Sequence, residues 1–85
     1  MKDLIERSYN ATRKRGKITA DTDGRDFVKK MEEELKEIKA APTFEKHVSE
    51  TVDLMNVCIC SLYHHGFDPV AEFEKCVIHQ ETRKD

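Results

Sequence analysis

Apolar residues recur at helical spacing along four stretches of the chain. Phe27, Met31, Leu35 and Ile38 follow one another at intervals of four, four and three, which predicts a helix over about 25–40 with one buried stripe. Phe44, Val48, Val52, Met55, Ile59 and Leu62 make a longer stripe and predict a helix over about 44–65. Leu54, Val57, Cys58 and Cys60 add apolar surface on its other sides. A helix so nearly apolar all round is expected at the centre, either of the monomer or of a subunit interface. Leu4, Ile5 and Tyr9 mark a first helix at about 3–15. Val70, Phe73, Val77 and Ile78 are expected to pack inward from a fourth at about 69–83. Alternation of period two is never sustained, so strands are not expected.

The punctuation agrees with this division. Gly16 allows a helix to stop, and residues 16–24 (GKITADTDG) are rich in turn formers. Pro42 turns its predecessor away from the helical region, and Thr43 can cap the next start. Gly66 ends the third helix. Asp68 followed by Pro69 then reads as a cap with proline in the first turn, where its missing N–H does no harm. The expected fold is all-α: one helical domain over residues 1–85, a small four-helix bundle completed by oligomerisation.

Eighty-five residues bury only about 60–65% of their unfolded surface. A core this thin, in a chain as rich in charged as in apolar residues, suits completion by a partner. The formal net charge of −2 gives no basic footprint for a nucleic acid polymer; the one basic cluster is RKRGK at 13–17. No run approaches a membrane span, and MKDLIERSYN has no apolar signal region. Three cysteines, an odd number, read as buried thiols of a reducing, cytoplasmic compartment.

The candidate chemistry lies in two acidic pairs. Glu34 and Glu37 are three apart on the second predicted helix, and Glu50 and Asp53 are three apart on the third, so each pair shares a helix face. The twelve residues between Glu37 and Glu50 suffice for a helix end, a turn and a helix start, so an antiparallel pair can aim all four carboxylates at one point. Asp53 sits among Val52, Leu54, Met55 and Val57, with no Lys or Arg one turn away, which predicts a carboxylate with little access to solvent. Such a group needs a partner, and a hard cation with oxygen ligands, Mg²⁺ or Mn²⁺, meets that need most simply. Loaded with metal, the cluster becomes a phosphate site, which points to cleavage of a phosphoric anhydride. Lys75 and Arg83 on the fourth helix are candidate phosphate contacts, as is the 13–17 cluster.

The EELKE at 33–37 followed by ETVD at 50–53 resembles the EExxE…ExxD signature of the MazG-like, all-alpha nucleoside triphosphate pyrophosphohydrolases. The apolar helix after ETVD, the GFDP turn at 66–69 and a following helix with a lysine extend the likeness over residues 25–83. The resemblance implies a helical bundle assembled into a homodimer or homotetramer, using Mg²⁺ to cleave a nucleoside triphosphate into monophosphate and pyrophosphate. By motif position it implies Glu34, Glu37, Glu50 and Asp53 as metal ligands, Glu33 as a residue that orients or deprotonates water, and Lys75 as a phosphate contact. His79 stands where the family commonly has Asn, and Arg83 falls one place beyond the family's Arg; both are carried as substrate-binding candidates.

Other constellations fall short. Cys58 and Cys60 point about 200° apart on a helix, so with His64 and His65 they do not make a zinc site; the two thiols are expected to be buried and the two histidines to cap the helix end. DTDGRD fails as a calcium loop, because aligning Gly24 places Lys30 where Glu is required. The alternative to an enzyme is a helical module that dimerises through the third helix, with its acids as solvated surface.

Overall fold

The computed structural model describes residues 1–84 and contains four helices: α1 (Lys2–Lys14), α2 (Gly24–Ala40), α3 (Phe44–His64) and α4 (Pro69–Thr82). Each predicted helix is present, with ends within a residue or so of the expected ones. Thr43 caps α3 by accepting from the Lys46 amide, and Asp68 caps α4 by accepting from the Val70 and Ala71 amides. The start of α2 carries a reciprocal cap that the sequence reading did not anticipate: the Asp23 side chain accepts from the Asp26 amide, and the Asp26 side chain from the Asp23 amide. Gly16 and Gly66 turn the chain after α1 and α3 with φ of 74° and 88°, a region where a side chain would be strained.

Helix α3 is the hub, packed against α1, α2 and α4. The core is Tyr9, Ile18, Phe27 and Cys60, bordered by Met31, Val57 and Tyr63. Ile18 comes from the segment expected to be plain loop, and its burial pins that loop under the helices. His64 ties the three parts together. Its Nε2–H donates to the Thr22 carbonyl at 2.7 Å, so in the neutral ring Nδ1 accepts from the Tyr9 hydroxyl at 2.6 Å. The Phe27 ring lies 5.3 Å from the His64 ring, centroid to centroid. His64 is therefore a brace inside the fold rather than a simple helix cap, whereas His65 does close the helix end, donating from Nδ1 to the Ser61 carbonyl at 2.7 Å.

Several burial expectations are corrected. The α3 stripe is exposed: Phe44, Val48, Val52, Met55 and Leu62 all face outward. At about 100° per residue, that stripe lies on the opposite side of the helix from Glu50, Val57, Cys60 and His64, the residues that meet α1 and α2. Val70, Phe73, Val77 and Ile78 on α4 also face solvent, as do Leu4 and Leu35. Cys58 and Cys76 are exposed, unlike Cys60, so only one of the three thiols is buried as expected. Hydrophobic spacing identifies faces but does not say which neighbour covers each one.

The exposed area is correspondingly large. The chain presents 6766 Å² of accessible surface, against about 5,200 Å² for a folded monomer of this mass. Its radius of gyration is 14.4 Å, against about 12 Å for a compact chain of this length. No helix among the described residues is long and apolar enough to cross a membrane.

Candidate metal centre

The turn at 41–43 reverses the chain, so α2 and α3 lie side by side and their acidic faces meet. One oxygen each from Glu34, Glu50 and Asp53 lies within 4.8 Å of the other two. Glu37 adjoins the group and hydrogen-bonds Glu50. Two helices, each contributing acids one turn apart, thus bring four of the predicted carboxylates to one place.

The most enclosed of them is Glu50, with 6% of its surface exposed. Asp53 is exposed, so the expected concealment falls on the other member of its pair. Both acids lie on the inward side of α3, but Lys46, Glu37 and Glu34 gather on Glu50 and cover it. Glu50 Oε1 meets the Lys46 ammonium at 3.0 Å. Lys46 was missed as a partner, although its i,i+4 spacing to Glu50 is legible in the sequence. The second oxygen of Glu50 and one oxygen of Glu34 are buried with no hydrogen-bond donor.

The protonation behaviour follows from this crowding. Glu37 is pushed up from 4.5 to about 7, first by its hydrogen bond to Glu50 and then by the Glu34 and Glu50 charges. Glu50 is held below its ordinary value, because Glu37 and Lys46 both hydrogen-bond its charged form. The two carboxylates are thus pushed in opposite directions, Glu37 toward holding its proton and Glu50 toward losing it. Burial raises Glu34, with the Asp53 charge adding to the effect.

Orphaned buried oxygens are costly in a protein interior, and one lysine does not balance four acids. A hard divalent cation would satisfy the free lone pairs of Glu34 and Glu50 and relieve the repulsion around them. The all-oxygen donor set fits Mg²⁺ or Mn²⁺ rather than a thiophilic metal.

Compared with known protein families, residues 1–80 match the one described as phosphoribosyl-ATP pyrophosphohydrolase. The chain belongs to the phosphoribosyl-ATP pyrophosphohydrolase family. As a member of that family, which is MazG-like and all-alpha, it is a nucleotide pyrophosphohydrolase and hence a hydrolase. The match takes in α1, beyond the 25–83 span of the resemblance seen in the sequence. Among curated proteins and among solved structures, none matches significantly.

The remaining predicted residues are not members of the three-oxygen group. Glu33 faces a separate cleft with the 16–22 loop. Lys75, His79 and Arg83 are exposed on or just after α4. Lys75 pairs with Glu72 at 3.1 Å, and Arg83 donates to Gln80 at 3.3 Å.

Proposed function

We propose that the protein hydrolyses a nucleoside triphosphate to the monophosphate and pyrophosphate, using Mg²⁺ or Mn²⁺ held by Glu34, Glu37, Glu50 and Asp53. The observation that carries this reading is the pair of buried, donorless oxygens on Glu34 and Glu50, contributed by different helices of a pyrophosphohydrolase-family chain. Bound there, the cation supplies Lewis acidity, neutralising phosphate oxygens and acidifying water. The chain's own residues do the rest. Glu50 and Glu34 set the position of the ligand oxygens, because packing between α2 and α3 leaves them little freedom. Lys46 keeps Glu50 charged and ready to ligate. Glu33 accepts the proton of the attacking water. The new bond forms between that water oxygen and the α-phosphorus; the bond to the oxygen bridging α and β breaks, and its electron pair leaves with pyrophosphate. Lys75, His79 and Arg83 are assigned further contacts to substrate.

The working form is a homodimer or homotetramer in a reducing, cytoplasmic compartment. The accessible area in excess of a compact monomer is of the order that one side of a protein interface buries, about 800 Å² or more. The outer stripe of α3 and the apolar side of α4 border a groove of about 600 Å³ lined by Met55, Ile59, Leu62, Val70 and Phe73. The non-enzymatic module shares this surface but leaves the donorless carboxylates without a purpose.

Pyrophosphate release from a panel of nucleoside triphosphates and phosphoribosyl-ATP, with and without Mg²⁺, tests the reading. Metal-dependent release is expected from at least one, together with a melting temperature that Mg²⁺ raises and a chelator lowers. Release unaffected by a chelator, or none from any substrate, would remove it.

A further inference from the structure

Among the described residues, Lys46 is the one cation that forms an ion pair with the carboxylate group. Its Nζ donates to Glu50 Oε1 at 3.0 Å. Glu37 and Asp53 lie near enough to act on its charge as well. An ammonium carries three N–H donors. Glu50 takes one, and the others have no partner among the described residues. The Lys46 side chain is 58% exposed, against 7% for that of Glu50, so the spare donors are open to an arriving ligand.

The residue's backbone is fixed. The Lys46 amide donates to the Thr43 hydroxyl at 3.1 Å, as part of the cap of α3, and the Lys46 carbonyl accepts from the Ser49 hydroxyl at 3.1 Å. Only the side chain is free to adjust, and Glu50 anchors its end. An exposed i,i+4 ion pair contributes little to stability, so the pairing by itself gives this lysine no strong structural role.

What sets Lys46 apart is the carboxylate it holds. Glu50 gives one oxygen to the ammonium, and its other oxygen is buried without a donor. A ligand drawn to that second oxygen's cation therefore arrives beside the ammonium, because both are held by one side chain. Lys75 is placed differently: it pairs with Glu72 on α4 and with no member of the carboxylate group. We propose that Lys46 is a phosphate-binding residue, its ammonium staying on Glu50 while its remaining N–H groups donate to a phosphate oxygen of the substrate. The assignment rests on the hydrolase reading given above and adds to it a substrate contact from within the carboxylate group. Negative charge on the phosphate oxygens shifts as the anhydride breaks, and an ammonium already held in place meets it without rearrangement.

Calorimetric binding of inorganic tripolyphosphate in excess Mg²⁺, and of Mg²⁺ alone, tests the inference on the full chain. Tripolyphosphate carries the phosphate chain without base or sugar, so base preference does not enter. Lys46→Gln is expected to weaken tripolyphosphate binding by about tenfold. Its affinity for Mg²⁺ alone should hold or rise, because a like charge has left the neighbourhood of the metal ligands. Lys46→Arg keeps the charge and the donors and should bind close to the unmodified chain. Lys2→Gln is the control, since Lys2 lines a cleft with Gly66 and Phe67 beyond the other end of α3. Equal weakening of Mg²⁺ and tripolyphosphate would make Lys46 a brace for Glu50 only and would overturn the inference. Unchanged tripolyphosphate affinity in Lys46→Gln, or no tripolyphosphate binding by the unmodified chain, would overturn it too. Metal-dependent turnover alongside either of those results defeats the contact alone. Binding that depends on Lys46 without turnover of any nucleotide supports the contact and defeats the hydrolase reading.

Discussion

Glu50 keeps one oxygen on the Lys46 ammonium at 3.0 Å while its other oxygen is buried with no donor at all. Half of this side chain is paired with a cation, and the other half faces only further carboxylates. A side chain placed for stability alone would not be left in this state. Replacing Glu50 by Gln should therefore separate the two properties. Hydrolysis is expected to fall by at least about 100-fold, the upper end of what even an outer-shell residue of a metal site costs. The melting temperature of the metal-free protein should hold or rise, because repulsion by Glu34 and Glu37 is relieved. A parallel loss of activity and stability would mark Glu50 as structural only.

The opposite shifts of Glu37 and Glu50 make stability of the metal-free protein depend on pH. Glu37 is raised from 4.5 to about 7, so the folded state holds its proton more tightly than the unfolded state does. Its contribution is complete below its ordinary value and disappears as pH rises through about 7. Glu50 is shifted the other way, so its contribution is present above its ordinary value and is lost as pH falls. The metal-free protein should be most stable near the ordinary carboxylate range and should weaken as pH climbs toward 8. Thermal melts across that range, with and without a chelator, report this; Glu37→Gln should flatten the alkaline side. A slope unchanged in that variant would assign the effect to other groups.

The Tyr9–His64–Thr22 chain predicts unequal costs for its members. Tyr9→Phe removes one hydrogen bond and should cost about 1 kcal/mol. His64→Ala empties space beside Phe27 and strands both the Tyr9 hydroxyl and the Thr22 carbonyl, for about 2–4 kcal/mol. Urea denaturation with constant slope measures both. Equal effects would mean that His64 is not the brace.

Phe73 is 67% exposed on α4, next to the apolar stripe of α3. Phe73→Glu should leave the monomer's helicity intact and shift sedimentation from oligomer to monomer. If the unmodified chain already sediments as a monomer at micromolar concentration, the surface belongs to some other contact.

Much of the architecture was readable beforehand because it depends on local chemistry. Spacing located all four helices, Thr43 and Asp68 announced their caps, and Gly16 and Gly66 marked the turns that take positive φ. The acidic site was equally accessible, since i,i+3 pairs on consecutive helices need only an antiparallel turn to converge. Ile18 was not readable, because a single apolar residue in a turn-rich segment has no period to reveal it. Nor was the role of His64, whose partners are 42 and 55 residues away in the chain.

Sequence by itself determined which residues form helices, where those helices begin, and which acids share a face, because these follow from covalent geometry over one or two turns. Only the tertiary structure decided that Glu50 rather than Asp53 is enclosed, that the most apolar side of α3 is left open, and that His64 ties α1 to the 16–22 loop. Those outcomes depend on which face of each helix meets which neighbour. A periodic pattern leaves that undecided, because a buried stripe and an interface stripe are built from the same residues.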